Sequence, residues 1–537
     1  MTVSNARNIL AAVLVIAGIG SGGLAAGVSA FPRARGQQEY EVIIRGGKIL
    51  DGSGNPWFLA DVGIWGDRIV AIDDLSGAVA PIVLDATGLY VAPGFIDVHS
   101  HAAGGLTAAD RSDARTLITQ GLTTIVANPD GRSPDIRQQR YALVEYGLGV
   151  NVAQMVGHGS TRGAVIGMDD RQSTPAELNR MRDIVRAGMD AGAFGLSSGL
   201  FYTPGSYAEL SEVIALAGVV AEYGGVYASH IRDEADYSIG VVAAVDEVIE
   251  VAREAGIPGV VTHIKALGPN VWGESRTVIE HIRAAREDGV EMYADQYPYE
   301  ASSTGLSAAL LPRWSQAGGA AALAARFADP ETRARIRQEM VENLARRGGA
   351  DRIQFTGGGP GIAGRTLQDL ADEQGVDPVD VGIELLTSGG GGGIISYNMQ
   401  TDDLHAFMVQ PWTMTSSDGG LPPFGAGVPH PRTYGTFPRK IRKYVLDDAV
   451  VSLEQAIRSM TSLPASSFRI RDRGMLRFGA YADIVVFDLD RITDRATYAD
   501  PHQYSEGIVH VLVNGRLALR DGKMTGSMAG EVLRRSR

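Results

Sequence analysis

At 537 residues the chain exceeds one ordinary domain, although an α/β barrel can take up half of it. Its composition, 45% hydrophobic and 21% charged, is that of a globular protein with a large core. A formal charge of -13 argues against a nucleic-acid partner, and the absence of cysteine excludes disulfides and thiolate metal ligands.

The first 30 residues differ in kind from the rest. Arg7 precedes an apolar run from Ile9 to Gly20, followed by small residues and Val28-Ser29-Ala30. This is the layout of a secretory signal peptide cut after Ala30, which implies an exported protein, periplasmic or secreted. The competing reading is an uncleaved anchor over residues 9–30, the one route by which a membrane becomes a partner.

From Tyr40 to Leu89 the pattern is short and alternating, with Gly- and Asp-rich turns between Glu41–Arg45, Asp61–Trp65 and Arg68–Ile72. These are strands joined by hairpins. The texture returns in Ala482–Asp488 and in Val509–Val513, which runs into the turn Asn514-Gly515. Two strand-rich ends predict one small β-sandwich domain assembled from residues 40–90 and 466–530.

Between them, over 91–465, strands and helices alternate. Eight strands are expected at 95–99, 122–127, 152–156, 193–197, 226–230, 259–263, 291–295 and 412–417. Helical stretches such as Pro175–Ala191, Tyr207–Tyr223, Tyr237–Ala255 and Ser275–Asp288 lie between them. The fold class is therefore α/β, a TIM (β/α)8 barrel with its active site at the C-terminal ends of the strands. The connection between strands seven and eight is too long for one crossover, so residues 301–390 are read as a largely helical insertion covering the site. Gly389–Gly393 reads as a flexible loop.

The residues that carry chemistry fall where such a barrel collects them. His99 ends strand one, in Pro93-Gly-Phe-Ile-Asp-Val-His-Ser-His101, and His101 lies just beyond. Side chains two apart on an extended segment point the same way, so this pair can offer two imidazoles to one ion. Asp130 follows strand two, His230 ends strand five, His263 ends strand six and Asp418 follows strand eight. Singly, each has an ordinary alternative: a histidine packed in a core, or an aspartate before glycine in a turn. Together they point to a site for one or two divalent ions, zinc by its donor types, suited to metal-assisted hydrolysis. Asp418, an acceptor when ionised, can take a proton from water and pass it to a leaving nitrogen.

The terminal strands, the His-x-His segment and the late Asp418 resemble the amidohydrolase superfamily. Within it, Gly195–Tyr202, Ser229–Glu234, His263-Ile-Lys265, Tyr297-Pro-Tyr299, Ser416–Gly419 and Pro431–Arg439 resemble the D-aminoacylases, with similarity running from about residue 40 to 520. The resemblance implies hydrolysis of the amide of N-acyl-D-amino acids, small-molecule substrates, to a carboxylate and a D-amino acid. It implies His99, His101, His230, His263 and Asp418 as metal-site residues, and Lys265, Tyr297 and Arg432 as binders of the substrate's α-carboxylate. A cation and a phenol near a metal are suited to that task. Against this, Lys265 can be a solvated lysine, Tyr297 a packed aromatic and Arg432 the partner of a structural acid.

One departure stands out. The D-aminoacylases carry a metal-binding cysteine in a Gly-Asn-Cys-Gly turn after strand two, where this chain has Asn128-Pro129-Asp130-Gly131. A bridging carboxylate can replace the thiolate, and oxygen, being harder than sulfur, shifts metal preference. The carboxylated lysine of other superfamily members has no counterpart in strand four, Ala193-Phe-Gly-Leu-Ser197. The alternatives are a cyclic-amide hydrolase of the dihydropyrimidinase or hydantoinase kind, a dipeptidase for D-residue-containing peptides, or a non-catalytic binding protein. His158, in Gly157–Arg162, follows strand three and is either substrate-facing or structural.

Overall fold

The computed structural model describes residues 39–535, apart from 134, 360 and 390. The signal or anchor segment expected over residues 1–30 lies outside the described residues. Eight parallel strands run in chain order around a ring: β1 (Phe95–Ser100), β2 (Leu122–Ala127), β3 (Asn151–Gln154), β4 (Gly195–Gly199), β5 (Val226–His230), β6 (Gly259–Val261), β7 (Met292–Gln296) and β8 (Thr413–Thr415). β1, β2 and β3 pair in that order, and pairing resumes at Val156–Gly157, just past β3, and continues through β4 to β8. Beyond the last strand the amide of Asp418 donates to the carbonyl of His99, and that of His101 to Gly419, each at 2.9 Å, which joins the two ends of the ring.

The interior follows from period-two alternation. Ile96, Val98, Val126, Ala153, Val226, Ala228, Val260 and Met414 form one apolar cluster together with Leu463, Ala465, Phe468 and Ile470 from the chain after β8. These residues precede the site histidines along their strands, so the apolar filling stops where the polar site begins. Outside the ring, helices Pro175–Asp190, Leu210–Ala221, Val241–Ala255 and Ser275–Glu287 lay their apolar faces on the strands. Local chemistry sets their ends: Thr174 and Glu177 form a capping box with Pro175 in the first turn, and Gly256 closes its helix in the left-handed conformation.

The termini do combine, in one continuous nine-stranded sheet, and its end strand Arg68–Asp73 returns to the segment before Ile484–Phe487, where the Ile69 amide donates to the Ala480 carbonyl at 2.9 Å. The continuity comes from Tyr90–Pro93, which pairs in parallel with Val42–Ile49 on one side and antiparallel with Ile484–Phe487 on the other. The N-terminal and C-terminal strands are thereby stitched into one surface just ahead of β1.

The connection from β7 to β8 is largely helical, with a small sheet added. Helices such as Pro330–Arg346 and Pro378–Thr387 are present, but so are three short strands, Ser302–Gly305, Ile353–Phe355 and Gly393–Ser396. The last pairs antiparallel with both others, so the unit extends past residue 390 and Gly393 belongs to a strand rather than to a loop. It carries its own apolar core, including Leu310, Ile336, Met340, Phe355, Leu367 and Ile394.

Candidate metal centre and substrate cavity

Asp130 is the hub of the site. Its Oδ1 lies 3.4 Å from His99 Nε2, 3.7 Å from His230 Nδ1 and 3.6 Å from His263 Nε2, and its Oδ2 lies 3.3 Å from His101 Nε2. Asp418 Oδ1 closes one side, 3.6 Å from His99 Nε2 and 3.2 Å from His101 Nε2. Two ligand clusters result, His99-His101-Asp130-Asp418 and Asp130-His230-His263, sharing the Asp130 carboxylate. All six metal-site residues anticipated from the sequence therefore converge.

Backbone architecture aims these groups. Pairing of β1 with β2 is irregular between Asp97 and Ser100, which places a break in register at His99. Asn128, Asp130, His263 and Asp418 all have positive φ, at 67°, 57°, 38° and 48°. Such conformations cost on the order of 1 kcal/mol or more each and persist only where the surroundings enforce them. The Asn128 side chain is held by Gln139 and the Met155 carbonyl, and its own carbonyl accepts from Ser197 Oγ at 2.6 Å. Gly131, at φ 71°, passes so close to β4 that a Cβ would sit 2.8 Å from the Gly199 amide nitrogen.

The donor set fits a cation. His99 and His230 are buried, and both nitrogens of each ring lack a hydrogen-bond partner, as does Asp130 Oδ1. Leaving that many buried polar atoms unmatched is costly unless an ion engages them. The local field has the right sign. Desolvation beside the cavity wall disfavours an imidazolium at His101, whose side chain is still 41% exposed, yet hydrogen bonds and charge from Asp130 and Asp418 push its pKa up to about 10. Burial likewise disfavours the Asp418 carboxylate, but Arg432, His101 and the other imidazoles hold its pKa well below the usual range.

Three acids behind the ligands were not singled out from the sequence. Glu234 is buried, with Oε1 3.0 Å from His263 Nδ1 and Oε2 3.8 Å from His230 Nε2. A proton on His263 Nδ1 donated to Glu234 leaves the Nε2 lone pair facing Asp130, the orientation a metal ligand needs. Asp97 is fully buried and accepts from the Ser417 amide at 2.9 Å, tying β1 to the loop that carries Asp418. Asp295 accepts from the His263 amide at 2.9 Å and from Ser416 Oγ at 2.6 Å. Asp97 lies within the Pro93–His101 segment, two before His99, and Glu234 within Ser229–Glu234, four after His230; Asp295 lies two before Tyr297.

A cavity of about 460 Å³ opens on this centre, lined by His101, Asp130, His230, His263 and Asp418 among others. Lys265, Tyr297 and Arg432 line it as well, and none is a solvated surface group. Lys265 is already engaged, bonded to Glu234 and 2.9 Å from the His263 carbonyl. Arg432 Nη1 lies 2.8 Å from Asp418 Oδ2, and its guanidinium carbon sits 4.7 Å from the centre of the Tyr297 ring. His430 orders this corner as a neutral ring: Nε2 is 3.0 Å from the Ala301 carbonyl and Nδ1 accepts from the Arg432 amide at 3.0 Å. Burial, reinforced by Arg432, holds its pKa well below that of a free imidazole. His158 does not join the cavity; its Nε2 lies 3.0 Å from Glu212, which Arg162 also contacts at 2.6 Å.

The sequence profile described as the amidohydrolase family matches residues 83–518. A D-aminoacylase of Alcaligenes xylosoxydans xylosoxydans is 35% identical over 525 residues, covering 93% of this chain and 98% of that enzyme. The crystal structure of N-acyl-D-glutamate deacylase from Bordetella bronchiseptica, with zinc and a phosphonate mimic of the tetrahedral intermediate, superposes with a TM-score of 0.79. It is 36% identical, covering 93% of this chain and all of that one. A D-aminoacylase structure studied for its binuclear metal centre also gives 0.79, at 32% identity and 92% coverage of this chain. The chain belongs to the amidohydrolase family, in its D-aminoacylase branch.

Proposed function

We propose that this protein hydrolyses the amide bond of N-acyl-D-amino acids to a carboxylate and a free D-amino acid, using one or two divalent ions. The observation that carries the reading is the shared Asp130 carboxylate amid four imidazoles, with Asp418 and Arg432 lining the same cavity. His99, His101, Asp130 and Asp418 would hold one ion, and Asp130, His230 and His263 a second. Zinc fits these nitrogen and oxygen donors. When bound, such an ion supplies Lewis acidity toward water and the scissile carbonyl.

The residues of the chain account for the remaining steps. Asp418, ionised at neutral pH, accepts a proton from the attacking water at Oδ1. It returns that proton to the amide nitrogen as the C–N bond breaks, which releases an amine and leaves the acyl carbon as a carboxylate. Arg432 and Tyr297 hold the substrate's α-carboxylate, and Lys265 adds positive charge from the Glu234 side of the cavity. Fixing the carboxylate this way fixes the amide against Asp418, which is how orientation lowers the barrier. Asp130, in place of a soft thiolate, would shift both positions that share it toward harder ions. The direct test is stoichiometric release of amine and carboxylate from N-acetyl-D-amino acids by the metal-loaded protein. Hydrolysis of a hydantoin or dihydrouracil instead would replace this reading with a cyclic-amide one.

A further inference from the structure

The cavity contains a positive charge that the mechanism above does not use. Arg347, from the insertion, lines the cavity and is only 1% exposed. Lys265 is matched by Glu234 and Arg432 by Asp418, but among the described residues no carboxylate pairs with Arg347. Its Nη1 donates to Ser396 Oγ at 3.0 Å, its Nε has no hydrogen-bond partner, and its guanidinium carbon lies 5.9 Å from the Tyr237 ring. A buried guanidinium without a counter-ion is strongly penalised by desolvation. Set in the wall of a ligand cavity, that cost is offset when the ligand brings the anion.

The surroundings suit a carboxylate. Ser396 fixes the guanidinium from the middle strand of the insertion's sheet, and the neighbouring strand Ser302–Gly305 faces the cavity together with Ser307. The hydroxyls of Ser303 and Ser307 can donate to the oxygens that the planar guanidinium does not reach. The same strand reaches toward the metal end, where Thr304 Oγ1 meets the Tyr202 hydroxyl at 3.1 Å and the Tyr202 ring lies 4.6 Å from His230.

We infer that Arg347 binds a second carboxylate of the substrate, so that the preferred N-acyl-D-amino acid is dianionic. This rests on the deacylase reading and names the substrate class within it. The second carboxylate has two possible sources: the side chain of an acidic D-amino acid, or the free end of a dicarboxylic acyl group.

The experiment compares kcat/KM for N-acetyl-D-glutamate, N-succinyl-D-leucine and N-acetyl-D-leucine with the metal-loaded enzyme, as wild type, Arg347→Met and Arg347→Lys. The wild type should favour one dianionic substrate over N-acetyl-D-leucine by roughly 100-fold, and the Met variant should lose most of that ratio. The Lys variant, keeping charge without the fork, should fall between. Preference for the glutamate identifies a side-chain carboxylate; preference for the succinyl compound identifies the acyl end. Fastest turnover of N-acetyl-D-leucine by wild type overturns the role of Arg347 while leaving the deacylase reading intact. Equal loss on all three substrates in the Met variant also overturns it, marking the arginine as structural. No turnover of any of the three sinks the deacylase reading and this inference with it. If the Met variant fails to fold, the Lys variant carries the comparison: an unchanged substrate ratio in it overturns the role of the guanidinium, and a reduced ratio supports it.

Discussion

Arg432 Nη1 lies 2.8 Å from Asp418 Oδ2, so the cation assigned to the substrate's carboxylate also touches the carboxylate assigned to proton transfer. Substrate binding and the charge state of the base are thereby coupled through one guanidinium. Arg432→Met should lower kcat/KM on N-acyl-D-amino acids by about 100-fold, with KM raised and kcat lowered together. Steady-state kinetics separates the two parameters. A change in KM alone would mean that the contact with Asp418 plays no part in the chemical step.

Asp130 is the one ligand common to both clusters. Asp130→Ala should reduce bound metal from about two equivalents to about one or fewer after dialysis, measured by elemental analysis. Asp130→Cys should retain metal and shift selectivity toward zinc over manganese, because thiolate is the softer donor. Unchanged metal content in the alanine variant would contradict the bridging role.

Glu234 supports the site from behind, through His263 Nδ1 and Lys265. Glu234→Gln should weaken metal affinity by roughly 10- to 100-fold without removing a ligand. A competition titration against a chelator measures this directly. An unaltered affinity would place Glu234 with Lys265 alone.

The Glu212 cluster predicts a pH dependence away from the metal. Burial opposes ionisation of Glu212, but His158 and Arg162 outweigh it and hold its pKa at about 2, below the ordinary 4.5. A lowered folded-state value means stability that is fully present above pH 4.5 and lost as the pH falls toward 2. Glu212→Gln should destabilise the protein at neutral pH by about 3 kcal/mol or more, since it leaves Arg162 buried and unpaired. It should also flatten the acid side of the stability curve, followed by chemical denaturation from pH 7 downward.

The strands that build the ring were legible because they are apolar runs ending in polar residues, and the ligands because they recur at those ends. His263 shows the limit of that method. The apolar run Val260-Val261 predicts His263 as the end of a strand, whereas β6 stops at Val261 and the histidine lies beyond, at positive φ. Glu234, Asp97 and Asp295 carry no signal in the sequence, because an acid near a histidine has no periodicity; only the folded geometry shows which atom it meets. The small sheet in the insertion was unreadable for a related reason. Ser302-Ser-Thr-Gly305 has no apolar alternation, and its partner Gly393–Ser396 begins in a glycine run that looks like a loop. The continuity of the terminal sheet has no signal in the sequence, because pairing of Tyr90–Pro93 on both sides depends on tertiary contacts between distant segments.

The most direct single measurement is amine release from matched N-acetyl-D- and N-acetyl-L-amino acids by zinc-loaded protein, with Asp418→Asn as the control. The expected result is turnover of the D series only, reduced at least about 1000-fold in the variant while metal content is retained. Turnover of the L series, or an Asp418→Asn enzyme that keeps its activity, would contradict the assignment of substrate or of the proton-transferring carboxylate respectively.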